Sequence, residues 1–219
     1  MSMKRIALIM VVMLLAASCC LAAENAKDKD KDGWVSLFDG KSLKGWKVGE
    51  NADSFSVQDG AIVANGPCAH LFYNGPVEDH NFKNFEFKAD VMTTPGSNSG
   101  LYFHTKYQES SWPLQGFEAQ VNTSHADPKR TASLYEVVDV LKVPVKDNEW
   151  FTQEIIVRGK RIVVKVNGQK LVDYTEPDDI KPVRRGFDRR LTSGTFAIQA
   201  HDPKSKVFFK NIMVKPLDD

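Results

Sequence analysis

The chain has 219 residues, 42% of them apolar and 26% charged, a balance that excludes a disordered or collagen-like polymer and suits one large domain. Formal net charge is +1, and removing Lys4 and Arg5 with an N-terminal leader leaves 27 basic against 28 acidic groups, a net −1. A surface so near neutrality has no electrostatic footprint for nucleic acid or anionic lipid, so no nucleic-acid partner is expected.

Lys4 and Arg5 precede an unbroken apolar run from Ile6 to Ala17, and small residues follow at Ala16-Ala17-Ser18 and Ala22-Ala23. This pattern is that of an export signal over residues 1–23, with cleavage expected after Ala23. Lipidation at Cys19 or Cys20 is the alternative, although Ala16 stands three before Cys19, where lipoprotein signals usually carry Leu. The run is too short, and Glu24 follows too soon, for a transmembrane segment. The expected location is periplasmic or extracellular, membrane-anchored if a cysteine is lipidated. Cys68 is then the single thiol of the mature chain, so no intramolecular disulfide is available and a small packed residue is expected there.

Residues 24–32 form a polar linker ending in alternating Lys and Asp. Asp28, Asp30, Asp32, Gly33 and Asp39 imitate the offsets of a calcium-binding EF-hand loop. No helix can precede them and Trp34 to Phe38 reads as a strand, so a solvated linker is the better reading. From residue 33 to 217 the apolar pattern has period two. Phe85, Phe87, Ala89 and Val91 alternate with Glu86, Lys88 and Asp90. Arg161 to Val166 alternates likewise, Asn167-Gly168 signals a type I′ hairpin, Lys170 to Tyr174 returns, and Val207 to Val214 closes the domain. With no long amphipathic helix, the expected fold is all-β: a two-sheet antiparallel jelly-roll sandwich.

Three strands carry unusual chemistry on the face turned away from the core. Phe117, Ala119 and Val121 point inward, which sets Glu118, Gln120 and Asn122 in a row on the other side. Leu101 and Phe103 leave Tyr102, His104 and Lys106 outside. Phe196, Ile198 and Ala200 leave Gln199 and His201. Ser133 and Tyr135 are candidates for a fourth strand, and Trp112 for a stacking platform at the rim. Solvent faces are usually Lys, Glu, Ser and Thr; His, Gln, Asn and Tyr offer directional hydrogen bonds suited to sugar hydroxyls. His70, His80 and His125 have no such alternating partners and read as loop or surface residues, and the pairs Arg184-Arg185 and Arg189-Arg190 as solvated charge.

Leu37-Phe38-Asp39-Gly40, Gly45-Trp46, Asn98-Ser99-Gly100, Gly116-Phe117-Glu118-Ala119-Gln120, Glu149-Trp150, Val166-Asn167-Gly168, Ile198-Gln199-Ala200-His201 and Phe208-Phe209-Lys210-Asn211-Ile212 occur in this order. Together they resemble the 3-keto-disaccharide hydrolase domain family, over about Gly33 to Leu217. The resemblance implies a concanavalin A-like lectin/glucanase sandwich and carbohydrate substrates, commonly glycosides with a 3-keto group. The matching positions are Asn98, Glu118, Gln120, Gln199 and His201. His104 stands where many relatives carry Arg, and Lys210 where Arg is frequent.

One acid followed by two amides is a poor basis for hydrolysis by paired carboxylates. A 3-keto sugar needs instead a base for the acidified ring proton, a donor or cation for the enolate oxygen, and an acid for the leaving group. The catalytic candidates are Glu118, His104 and His201, the two histidines being interchangeable in these roles. The substrate-binding candidates are Asn98, Tyr102, Lys106, Trp112, Gln120, Tyr135 and Gln199. No cofactor is required by this scheme; a divalent metal is open if Glu118, His104 and His201 converge, although no ligand-spacing motif marks one. The alternative to an enzyme is a non-catalytic, lectin-like carbohydrate-binding module using the same concave face, and a structural surface protein is the third reading.

Overall fold

Two antiparallel sheets, each apolar on one side, close on a shared aromatic layer. The computed structural model describes residues 29–182 and 186–219; the leader, with Cys19 and Cys20, lies outside them, as do Arg184 and Arg185. The strands in chain order are β1 (Val35–Ser36), β2 (Trp46–Val48), β3 (Phe55–Gln58), β4 (Ala61–Ala64), β5 (Ala69–Tyr73), β6 (Asn84–Thr93), β7 (Asn98–Thr105), β8 (Phe117–Asn122), β9 (Phe151–Arg158), β10 (Arg161–Val166), β11 (Gln169–Thr175), β12 (Thr195–Ala200) and β13 (Val207–Leu217). Among the described residues there are two short 3-10 turns and no α-helix, and no helix is long and apolar enough to cross a membrane.

The larger sheet runs β11-β10-β9-β6-β13-β4-β3, with β1 paired to β13; the smaller runs β2-β5-β12-β7-β8. Alternation explains the larger sheet directly: along β6, Phe85, Phe87, Ala89 and Val91 are buried while Glu86, Lys88 and Asp90 are half-buried outside. The β10–β11 hairpin turns on Asn167 (φ 49°) and Gly168 (φ 78°), the two left-handed residues a type I′ turn needs. Between the sheets Phe196 of β12 lies 4.6 Å from the ring of Phe82, 4.9 Å from Phe85 and 4.6 Å from Phe87. Each such side chain, wholly withdrawn from water, contributes about 1.5–3 kcal/mol of transfer free energy.

Asp28 lies outside the described residues; the rest of the acidic run before β1 is a turn. Asp30 Oδ1 accepts hydrogen bonds from the backbone N–H groups of Asp32 and Trp34, both at 2.9 Å, which uses the carboxylate to stop the chain before the first strand.

In the smaller sheet every residue of β5, β7, β8 and β12 is buried, on both faces. One face is the core. The other is covered by loops that leave a hollow, and the polar alternates of three strands form its floor.

Candidate active site

Pairing aligns the floor. Tyr102 on β7 sits opposite Glu118 on β8 and opposite Ala197 on β12, so the neighbouring alternates Gln120 and Gln199 flank the same spot. Gly100, opposite Gln120, makes room: a Cβ there would lie 2.3 Å from Glu118 Oε1 and 2.8 Å from its Cγ. The Asn98-Ser99-Gly100 sequence thus seats the carboxylate.

Glu118 is 5% exposed and held on both oxygens. The Tyr102 hydroxyl donates to Oε2 at 2.7 Å, and Gln199 Nε2 donates to Oε1 at 3.1 Å and to the Tyr102 oxygen at 2.9 Å. Gln120, with its amide nitrogen turned inward, donates to Oε1 at 3.1 Å and to the Ser99 carbonyl at 3.2 Å. Burial dominates and pushes the carboxyl up to about 7, against the bonds from Tyr102 and Gln199 and the charge of Arg189, which favour the anion. The group is therefore poised to take or give a proton near neutrality.

A cavity of about 440 Å³ opens above this floor. Its lining joins Asn98, Tyr102, Glu118, Gln120 and Gln199 from the sheet with His201 just past the end of β12 and with Trp112, Asp127, Tyr135, Phe187 and Arg189 from loops. That volume is in the range of small-molecule sites. Three lining atoms have no protein partner: Asn98 Oδ1, Gln199 Oε1 and Arg189 Nε. Buried polar atoms left open in this way are what a polyhydroxylated ligand would satisfy.

Side-chain hydrogen bonds shape the loops around the cavity. Asn122, at the end of β8, donates through Nδ2 to the carbonyls of Asp127 and Lys129 at 2.9 and 2.8 Å, and its Oδ1 accepts from the His125 N–H at 2.8 Å. It is a loop anchor, and the loop it shapes presents His125 and Asp127. Tyr135 meets Asp127 Oδ2 at 3.5 Å. The segment carrying Ser133 and Tyr135 is an irregular edge laid on β8, with Tyr135 N donating to the Glu118 carbonyl at 2.9 Å, and not a fourth strand. Trp112 packs its ring on His70 (5.7 Å) and His201 (5.4 Å), so it walls the cavity beside the floor. His201 Nδ1 lies 2.7 Å from Asp202 Oδ2. Despite the cost of partial burial, hydrogen bonds from His201 and Ser205 hold Asp202 down at about 2.

Two expected site residues are elsewhere. His104 does not face the cavity: β7 carries one more residue than β12 between paired positions 102 and 105, and His104 takes it up at φ 53°. Such a bulge reverses the alternation beyond it. The imidazole accordingly packs on the core rings of Phe85 and Phe103 at 5.7 and 5.8 Å, with Nε2 2.9 Å from the Lys83 carbonyl. Burial lowers it to about 4, a structural histidine. Lys106 lies past the strand end, exposed and outside the cavity lining. A metal cluster of Glu118, His104 and His201 is excluded by the same displacement; among the described residues the group with ligand atoms within 4.8 Å of one another is His125, His201 and Asp202.

Arg189, which reads as solvated charge in the sequence, is 3% exposed, its Nη1 donating to the Gly116 carbonyl at 3.1 Å and the Pro113 carbonyl at 3.3 Å. Asp127 and His125 are the other residues the period-two pattern does not reach. His70, which reads as a loop or surface residue in the sequence, is buried on β5 beside the floor and outside the cavity lining, edge-on to Tyr102 at 5.2 Å and lowered to about 3 by burial. Cys68 is half-buried, lies outside the cavity lining, and is pushed up to about 11 chiefly by burial.

The sequence profile of the 3-keto-α-glucoside-1,2-lyase-like domain family matches residues 33–215. The chain belongs to that family. A curated relative from Bacteroides thetaiotaomicron, named 3-keto-disaccharide hydrolase, is 28% identical over 173 residues; the match covers 66% of this chain and 59% of the relative. This 1,2-lyase-like chain thus matches less than two thirds of that protein. A crystal structure of a candidate glycosyl hydrolase from Parabacteroides distasonis superposes with a TM-score of 0.71 at 26% identity, over 85% of this chain and 95% of that one. The carbohydrate-binding module CBM66 of Bacillus subtilis, at 11% identity and a TM-score of 0.53 over 78% of this chain and 95% of its own, shares the fold.

Proposed function

We propose that this member of the family is an exported enzyme that cleaves the glycosidic bond of 3-keto-glycosides by elimination, with water addition completing a net hydrolysis. The observation that carries the reading is Glu118: a buried carboxyl, poised at about 7 by desolvation, on the floor of a cavity with open hydrogen-bonding atoms. The ketone acidifies the C–H on the ring carbon between it and the anomeric carbon. Ionised Glu118 takes that proton, and the C–H electron pair forms the enolate. The enolate then collapses, the anomeric C–O bond breaks, and the leaving oxygen takes the proton that Glu118 has accepted, which leaves the carboxylate ionised again. Addition of water across the new double bond restores the sugar. Arg189, whose charge is felt at Glu118, supports the enolate oxygen, and His201 is the second electrophilic group of the cavity. Asn98, Gln120, Gln199 and Tyr135 hold hydroxyls, and Trp112 supplies an apolar ring face. The 1,2-lyase-like family description supports elimination across these two carbons, and the leader-like residues 1–23 support export.

Asp127 on the cavity wall favours a second reading, direct hydrolysis by two carboxylates. Incubating the protein with a 3-keto-disaccharide and with its unoxidised parent in D2O separates the two. Release of free sugar from the keto form alone, with deuterium on the ring carbon next to the ketone, is expected. Equal release from the parent supports two-carboxylate hydrolysis. Binding of either sugar without release would leave a lectin-like module.

A further inference from the structure

We propose that His125, His201 and Asp202 form a divalent-metal site on the wall of the cavity, taking a first-row ion such as Zn2+ that grips the ketone oxygen of the substrate. The inference rests on the elimination reading for its chemistry but on separate residues for its geometry. The two imidazoles and one carboxylate bring ligand atoms within 4.8 Å of one another. His201 Nδ1 and Asp202 Oδ2 are 2.7 Å apart, a hydrogen-bond distance that opens to about 3.4 Å between neighbouring ligands of a tetrahedral ion with bonds of about 2.1 Å. An ion would take the place of the hydrogen bond between these two atoms. Asp202 is fixed for this: Oδ1 accepts from Lys204 N at 2.8 Å and Ser205 N at 3.2 Å, and Oδ2 from Ser205 Oγ at 2.8 Å. Such outer bonds orient metal ligands elsewhere.

Asn98 provides the independent observation. It is 3% exposed, its Nδ2 stands 3.4 Å from His125 Nδ1, and its Oδ1 has no protein partner. The open amide oxygen thus sits on a residue that meets His125 and lines the same cavity as His201. Two nitrogens favour Zn2+, Co2+ or Fe2+ over Ca2+ and Mg2+, which prefer all-oxygen shells. Three protein ligands leave positions open on the ion, and a Lewis acid there stabilises the enolate oxygen formed when Glu118 removes the ring proton.

The test uses the whole purified protein, stripped with a chelator, dialysed, and titrated with Zn2+ or Co2+. Expected is one retained equivalent by elemental analysis, with a visible Co2+ absorption band. His125→Ala and Asp202→Asn each weaken the ion by about 100-fold or more, the asparagine keeping the loop hydrogen bonds through Oδ1. Glu118→Gln keeps the full equivalent while cleavage is lost. Wild-type protein that retains no ion, or His125→Ala binding it unchanged, overturns the site. Metal-free protein cleaving 3-keto-disaccharide at the full rate also overturns it and leaves the elimination reading standing. Protein that holds the ion through these residues but cleaves neither sugar supports the site and ends the elimination reading.

Discussion

A carboxyl group that solvent cannot reach favours its neutral form, and Glu118 carries that preference into both chemistry and stability. In the proposed elimination it works ionised, so kcat/KM on a 3-keto-disaccharide should rise with pH through about 7 and fall on the acid side. Glu118→Gln should lower kcat by roughly 10² to 10⁴, the usual worth of a positioned general base. Stability runs the other way. The folded-state value is raised from 4.5, so the contribution of the neutral group is complete below about 4.5 and is lost as pH rises through about 7, on the order of 3 kcal/mol. Thermal melts of wild type and Glu118→Gln from pH 5 to 9 should diverge, the amide losing less; parallel curves would mean the carboxyl is solvated. The floor residues Tyr102, Glu118, Gln120 and Gln199 are legible in the sequence because a pleated strand sorts side chains by parity. Arg189, Asp127 and His125 are not, because they sit on loops where parity ends, and nothing in Arg189-Arg190 tells a buried guanidinium from a solvated one.

At the scale of the element, β7 holds both the success and the failure of that parity argument. Up to Tyr102 the alternation is regular; one extra residue then sends His104 into the core layer. Histidine is among the residues that tolerate a left-handed backbone, yet its presence alone does not announce a bulge. His104→Asn, which keeps the left-handed preference, should leave kcat within about threefold while lowering Tm through lost packing. Because burial holds the imidazole down at about 4, its contribution is present above about 6.5 and lost as pH falls toward 4. The asparagine protein should lack that acid limb in a melt series. Gly100→Ala drives a methyl against Glu118 and should cost at least about tenfold in kcat by moving the carboxylate. Activity measured beside Tm separates displacement of the base from unfolding.

For the molecule as a whole, the aromatic layer decides stability. Phe196 touches Phe82, Phe85 and Phe87 at once, and Phe196→Ala should cost about 3–5 kcal/mol, read as a lowered denaturant midpoint. The long inner strands of this layer are visible as alternating runs, as in Asn84 to Val91. β1 falls within the expected strand Trp34 to Phe38, but the short pieces β2 to β4 are not visible: three or four residues carry too few alternations, and β4 is buried on both sides and has none. Arg189 reaches the cavity from the crossover between β11 and β12, anchored on the carbonyls of Gly116 and Pro113 and not by the sheet beneath. The floor and this crossover therefore rest on separate anchors. If the proposed reaction holds, exchanging that crossover among relatives should change which aglycone is admitted, while strand register and the acid beneath stay as they are.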